Sequence, residues 1–365
     1  MKRPEILFLV QLPPPVHGSS LANQLLVEDP VIQSHFQLDV FPIQMADNNT
    51  DMGKFSWKKI VKTFRQIFRL MGLLSKKKYD LAYITLSPFS FAFYKDALLV
   101  LVLKLFRQKI VFHLHGRGIK SQTQNFFKRQ IYKQVFKGVE VIMLDELLYE
   151  DIQLIYPKTP YFLPNGIQAS PHQPRFTENS IPTFIYLSNL TLSKGILDLV
   201  AAIKILQQQQ LEFKTYIVGN STTSLSTEDL QARIELDNLK NVVVTGPIYG
   251  EKKYDYLVES DVFVLPSKLT NESFPLSILE AFQAGLAVIS THIGAIPAIV
   301  ENNVNGFTVE PENAEQLAEK MKYLIENPEV LQDMKQKNIK KYQTHYTREI
   351  FTQNFISIIN NILSK

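Results

Sequence analysis

Two doubly wound α/β domains are the architecture this sequence predicts, and three observations predict it. Short apolar runs of strand length alternate with helix-length segments from one end of the chain to the other. The strand runs are continuously apolar, the pattern of parallel strands covered on both faces. A length of 365 residues exceeds one ordinary core and suits two domains of about 100–200 residues each.

The first strand is read at 6–10. The basic start, Met1-Lys2-Arg3, gives it the look of a signal peptide. Its apolar run is shorter than the roughly 7–15 residues of a signal core, however, and no small-residue cleavage site follows. Further strands are expected at 38–43, 81–86, 110–114, 139–144 and 161–163. In the second half they are expected at 183–187, 213–218, 242–245, 262–265 and 287–290. Helices are read over 57–74, 124–136, 196–208 and 276–284, with a last amphipathic segment over 348–363. The domain break falls in 168–182, which holds Pro171, Pro174 and Pro182 and almost no apolar residues. The expected division is therefore 1–170, a linker at 171–182, and 183–346, with 347–365 returning to the first domain. No internal repeat is evident, and the glutamine tract 207–210 reads as a solvated helix end.

The 45% apolar and 20% charged composition is that of a globular chain with a sizeable interior. There is no cysteine, which excludes a thiol nucleophile, disulfides, a zinc–thiolate site and an iron–sulfur cluster, and suits a reducing compartment. The longest apolar stretch, 97–103, falls far short of the ~20 residues of a membrane span. A cytoplasmic location is expected. The net charge of +4 hides a division, since residues 1–175 hold 23 Lys and Arg against 13 Asp and Glu, while the rest is acidic. A basic half calls for an anionic partner, such as a phosphate-bearing substrate, a membrane surface or a nucleic acid. Nucleic acid fits poorly, because no binding motif is present and the charge is not ordered with stacking aromatics.

Open parallel sheets bind ligands beyond the carboxyl ends of their strands, so the residues just after each strand are the candidates. After the first comes Pro13-Pro14-Pro15-Val16-His17-Gly18, where Gly18 opens a strand-to-helix turn to a phosphate. The dinucleotide fingerprint G-x-G-x-x-G is absent, which disfavours a dehydrogenase. After 110–114 comes His115-Gly116-Arg117-Gly118. His115 sits where ligands go, whereas His113 lies within the strand and reads as a packed core residue. The second domain opens with Asn189 and, five residues on, Lys194 just before a helix. A cation there opposes the helix dipole unless it and the helix end share an anion. The densest stretch runs from Asn271 through Glu272, Ser273, Phe274, Pro275 and Leu276 to Glu280. Glu272 falls in a loop and Glu280 in the next helix, so the two can hold different parts of one extended ligand. Backbone amides of 273–276 can hold its phosphates. No Asp-x-Asp metal motif is present. The residues point to a phosphate-containing, hydroxyl-rich ligand bound without a metal.

Together these residues resemble family 4 of the retaining glycosyltransferases, the glycosyl transferases group 1, whose GT-B fold sets two Rossmann-like domains facing each other. The resemblance is most specific in Glu272 to Glu280, which matches the family's E-x7-E motif, and in its continuation 281–309. It includes Pro164-Asn165-Gly166-Ile167 and Leu265-Pro266-Ser267. It implies an N-terminal acceptor-binding domain and a C-terminal donor-binding domain. Glu280 would bind the donor ribose, and Glu272 the transferred sugar near the reacting carbon. Amides around Ser273, Phe274 and Leu276 would hold sugar and phosphate oxygens. Lys194 matches the diphosphate-binding lysine, His115 the histidine on the donor sugar, and Gly18 the first-loop glycine. Gly246 and Ile248 lie where the base is held. No cofactor is implied beyond the donor substrate, a UDP- or GDP-sugar.

Two positions depart from the family. Asn189 stands where many members carry an arginine, leaving Lys194 as the cation on the diphosphate unless Arg117 replaces it. Ala298 stands where a glutamate is common. Asn189 keeps open a second expectation, a catalytically weak relative that binds nucleotide sugars or a partner. The stretch 57–78 interleaves apolar residues with Lys and Arg, includes Trp57, and ends in Lys76-Lys77-Lys78. A peripheral contact with anionic lipid, and so a lipid-linked saccharide acceptor, is one expectation; a solvated basic helix face is the other.

Overall fold

Continuous apolar runs bounded by short polar loops become parallel strands, because a strand buried on both faces has no solvent side to alternate with. The computed structural model describes residues 3–14, 16–43, 57–174 and 181–365, without the side chains of 57–59. Pro15, the side chain of Trp57 and residues 175–180 of the expected linker lie outside the described residues. The chain divides into two units, one of Met1–Gly166 with Arg348–Lys365, the other Ile167–Thr347.

In the first unit the order is β1 (Glu5–Val10), α1 (Gly18–Glu28), α2 (Pro30–His35), β2 (Gln37–Pro42), α3 (Trp57–Leu74) and β3 (Leu81–Thr85). It continues with α4 (Ser90–Leu105), β4 (Ile110–Leu114), α5 (Ile119–Gln122), α6 (Phe126–Phe136), β5 (Glu140–Met143) and β6 (Tyr161–Phe162). The six strands form one parallel sheet in the order β2-β1-β3-β4-β5-β6. Right-handed crossovers place α3, α4 and α6 on one face, since each carries the chain in the same direction across the sheet. The step from β1 to β2 runs the other way, so α1 covers the opposite face. There Phe8, Tyr83 and Val111 share a core with residues of the last helix. Helix α6 begins later than periodicity suggests because Asn125 caps it, its side chain accepting from the Lys128 amide at 3.1 Å.

The second unit runs β7 (Thr183–Leu187), α7 (Ile196–Gln208), β8 (Lys214–Val218), α8 (Thr227–Leu236), β9 (Val242–Gly246), α9 (Lys252–Val258) and β10 (Val262–Leu265). After these come α10 (Leu276–Ala284), β11 (Ala287–Thr291), α11 (Ile296–Ile299), β12 (Gly306–Val309), α12 (Ala314–Glu326) and α13 (Pro328–Lys341). Its parallel sheet has the order β12-β11-β10-β7-β8-β9. Strand β12 is an edge strand that the apolar runs do not announce, being only Gly-Phe-Thr-Val. The unit begins at Ile167, whose amide donates to the Tyr346 carbonyl at 3.0 Å.

The last helix, α14 (Arg348–Ser364), belongs to the first unit. Arg348 Nε and Thr352 Oγ1 both donate to Asp29, at 2.8 and 2.9 Å. Asp29 also caps α2 through the amides of Val31 and Ile32. No described helix is long and apolar enough to cross a membrane.

Candidate functional site

Loops at the carboxyl ends of the second unit's strands gather most of the candidate residues. After β7 the chain turns at Asn189, which is exposed and whose carbonyl accepts from the Tyr186 hydroxyl at 3.2 Å and the Thr191 amide at 2.8 Å. A single helical turn, Leu192–Lys194, follows, and Gly195 starts α7 at φ 74°. A Cβ on Gly195 would lie 1.8 Å from the Pro266 carbonyl oxygen, so only glycine lets this loop rest on the end of β10. The Lys268 amide then binds the Ser193 carbonyl at 2.9 Å. This close approach delivers Lys194 to Glu272, and the two form an ion pair. Ser267 Oγ donates to the same carboxylate oxygen at 3.2 Å. Only 20% of the Lys194 side chain and 10% of the Glu272 side chain meet solvent.

The Glu272 loop is braced from behind by Gly294, at φ 64°, where a Cβ would come within 2.4 Å of the Glu272 carbonyl oxygen. The neighbouring Ala295 amide binds the Ser273 carbonyl at 2.8 Å. Ser273 is buried and its hydroxyl has no hydrogen-bond partner among the described residues. Phe274 packs edge-on against Tyr346, ring centroids 6.0 Å apart. Pro275 precedes α10 without a side-chain cap, and the amides of a helix's first turn have no partner within the helix. One turn along from Leu276, Glu280 binds Lys253 Nζ of α9 at 2.7 Å. The loop carrying Gly246 and Ile248 leads into that helix. Gly246 closes β9, and its carbonyl accepts from the Gly219 amide at 3.1 Å.

Gly18 and His115 lie in the first unit. Gly18 opens α1 and is exposed. His17 caps that helix, Nδ1 accepting from the Ser20 amide at 3.2 Å. His115 follows β4, and both its ring nitrogens are buried without a hydrogen-bond partner among the described residues. Its ring lies 4.0 Å from that of His113, which is fully buried in the core. His113 Nδ1 is 2.6 Å from the Tyr83 hydroxyl. Burial, with His17 nearby, pushes the His115 pKa down to about 3. Burial, with His115 alongside, holds His113 well below the usual range, and burial lowers His17 too. All three imidazoles are therefore neutral at neutral pH.

The sequence singles out Lys194, Glu272 and the start of α10 one by one; that the first two pair, and what supports them, is visible only in the structure. Lys253, which holds Glu280, has no motif around it. Gly294 lies within the run 281–309, and its place just before the short helix α11 is the signal the sequence offers. Asp151 carries no motif either. Its carboxylate accepts the amides of Gly118, Ile119 and Lys120 at 3.0–3.1 Å, fixing the loop that carries His115 and Arg117.

This architecture is that of the GT-B glycosyltransferases. Sucrose-phosphate synthase from Thermosynechococcus elongatus superposes with a TM-score of 0.76 over 100% of both chains, at 18% identity. Anabaena HepE, solved in complex with UDP, gives 0.73 over 98% of this chain and 100% of that one, at 16% identity. Residues 172–341, most of the second unit, match the family described as Glycosyl transferases group 1. In sequence the chain is 31% identical to the amylovoran biosynthesis glycosyltransferase AmsK of Erwinia amylovora over 136 residues, 36% of this chain and 33% of that one. The alignment thus spans about a third of that relative's length.

Proposed function

We propose that the chain transfers a sugar from a nucleotide-diphosphate donor to a saccharide or lipid-linked saccharide, with retention at the anomeric carbon and without a metal. The observation that carries this reading is the Lys194–Glu272 pair, set beside the unpartnered Ser273 hydroxyl at the uncapped start of α10. Breaking the sugar–diphosphate bond builds negative charge on the leaving oxygen. Lys194 and the first amides of α10 meet that charge, and one preorganised donor of this kind is worth roughly 10²–10³ in rate. Glu272 gives up Lys194 to the incoming diphosphate and turns to the sugar hydroxyls, while Glu280 exchanges Lys253 for the ribose diol. The acceptor hydroxyl attacks from the face the diphosphate leaves, and its proton passes to the departing phosphate oxygen.

His115 and Gly18 keep, from the resemblance alone, their roles at the donor sugar and its phosphate. Gly246 and Ile248 hold the base. HepE, solved with UDP, supports UDP as the first donor to try, with GDP second. AmsK, named for amylovoran biosynthesis, supports a place in cell-surface polysaccharide assembly. The reading puts the reaction in the cytoplasm, with the basic stretch 57–78 in peripheral contact with anionic lipid.

A panel of UDP-, GDP-, ADP- and CMP-sugars, scored with EDTA present for thermal shift and nucleotide release, tests the proposal. One diphosphate donor should stabilise the protein and be turned over, with release abolished in Glu272→Ala. Retention is read from the anomeric configuration of the product. Asn189 favours a second reading, a nucleotide-sugar binder of weak activity. Binding without release, even with membrane extract as acceptor, would decide for it, and absence of any binding would overturn the donor site.

A further inference from the structure

The helix layer over one face of the first unit is built to be covered. Helix α4 turns Tyr94, Leu98, Leu101 and Leu105 to solvent, a 4-3-4 spacing that forms one stripe along its length. Leu105 is 72% exposed. Its charged members point elsewhere: Lys95 and Asp96 pair in the interior, and Lys104 Nζ binds the carbonyls of Gln134, Val135 and Lys137 at the end of α6. That last contact, with the stacking of Phe93 on Tyr132 at 3.7 Å, fixes α6 beside α4. Helix α6 adds exposed Phe126, Phe127 and Ile131, with Phe127 at 77%. On the other flank α3 adds Val61, Phe64 and Phe68. Exposed apolar side chains gathered on neighbouring helices and rimmed by polar residues mark an interaction site.

The charge around the layer says what covers it. Residues 57–137 contain 18 Lys and Arg and only two acids, Asp80 and the buried Asp96. Among the described side chains of the three helices none that is exposed is acidic, whereas Arg65, Arg69, Lys133 and, just beyond α4, Arg107 are exposed and basic. A second copy packed through the same three helices would bring the same cations to the seam and no exposed acid among the described side chains to meet them. An anionic bilayer supplies both hydrocarbon for the leucines and phenylalanines and negative charge for the rim.

We propose that the α3–α4–α6 layer docks on anionic lipid, with the exposed stripe of α4 and the phenylalanines of α6 entering the headgroup–acyl boundary. The proposal rests on the peripheral contact inferred above and moves its centre from the basic stretch 57–78 to the α4–α6 ridge. Flotation of the full chain with vesicles of phosphatidylcholine alone, or with phosphatidylglycerol added, tests it. Binding should need the anionic lipid, weaken with salt, and fall about tenfold or more in Leu98→Glu/Leu101→Glu. Arg107→Glu/Lys133→Glu, which leaves the apolar stripe intact, should weaken it by about fivefold or more for each cation lost. Circular dichroism and donor-induced thermal shift on both variants separate a docking defect from misfolding or a failed donor site. No binding to anionic vesicles, or binding indifferent to both variants, overturns the proposal. So does a dimer in solution that Leu98→Glu/Leu101→Glu dissociates, which would assign the stripe to a second copy.

Discussion

Lys194 and Glu272 each hold the other in a place neither could occupy alone. A mostly buried carboxylate needs a cation or several hydrogen bonds, and here Lys194 and Ser267 Oγ supply them. In the proposed reaction the donor diphosphate competes for the same ammonium. Lys194→Ala should lower turnover by roughly 10²–10³ and Lys194→Arg should recover part of it, as nucleotide release at saturating donor will show. Equal loss in both variants would mean the charge is not what matters. The histidines of the first unit make a second residue-scale prediction. Their folded pKa values are depressed, His115 to about 3, so the unfolded chain takes up protons first as the pH falls. Their stability contribution is complete above about pH 6.5 and is lost progressively toward the folded value. Each histidine that stays neutral adds a slope of about 1.4 kcal/mol per pH unit in that window. Urea midpoints at pH 7, 6 and 5 should fall faster for the native chain than for His115→Gln.

At the scale of elements, the site depends on backbone approaches that only glycine permits. Gly294→Ala puts a Cβ against the carbonyls of Glu272 and Ser273, at 2.4 and 2.9 Å, in a backbone conformation side chains avoid. The Glu272 loop must shift, at a cost of about 1–3 kcal/mol. Calorimetry should show that loss together with a donor-induced thermal shift close to zero; an unchanged donor shift would mean the loop tolerates the displacement. The strands were legible because burial on both faces writes itself as a continuous apolar run. Helices α3, α7 and α10 were legible because one of their faces is packed. The motif from Glu272 to Glu280 was legible because both acids lie on one loop and its helix. Its contacts were not: Lys194, Lys253 and Gly294 reach it through the fold, and periodicity reports that a side chain is buried without naming its partner. Helix α4 shows the opposite failure. Its run 97–103, too short to span a membrane, carries no periodicity that separates a buried from an exposed face, yet Leu98 and Leu101 face solvent, because hydropathy alone does not tell core from surface.

Across the whole molecule, the first unit is discontinuous in sequence and closes only when α14 arrives. Phe355 is fully buried, its ring 6.2 Å from that of Phe8 and 5.7 Å from that of Tyr83, so the last helix fills the core over β1 and β3. Phe351, Ile359 and Ile362 extend the same contact. Truncating a buried phenylalanine to alanine costs about 3–5 kcal/mol through lost transfer energy and the cavity left behind. That is a large share of the stability of an ordinary domain. Every described residue of this core lies in the first unit. Phe355→Ala should therefore lower hydrogen-exchange protection in β1, β3 and α14 while leaving β10 and β11 close to native, with two thermal transitions drawn further apart. Equal loss of protection in both sheets would instead show that the units unfold as one cooperative body, and that closing the first with α14 is a condition for the stability of the second.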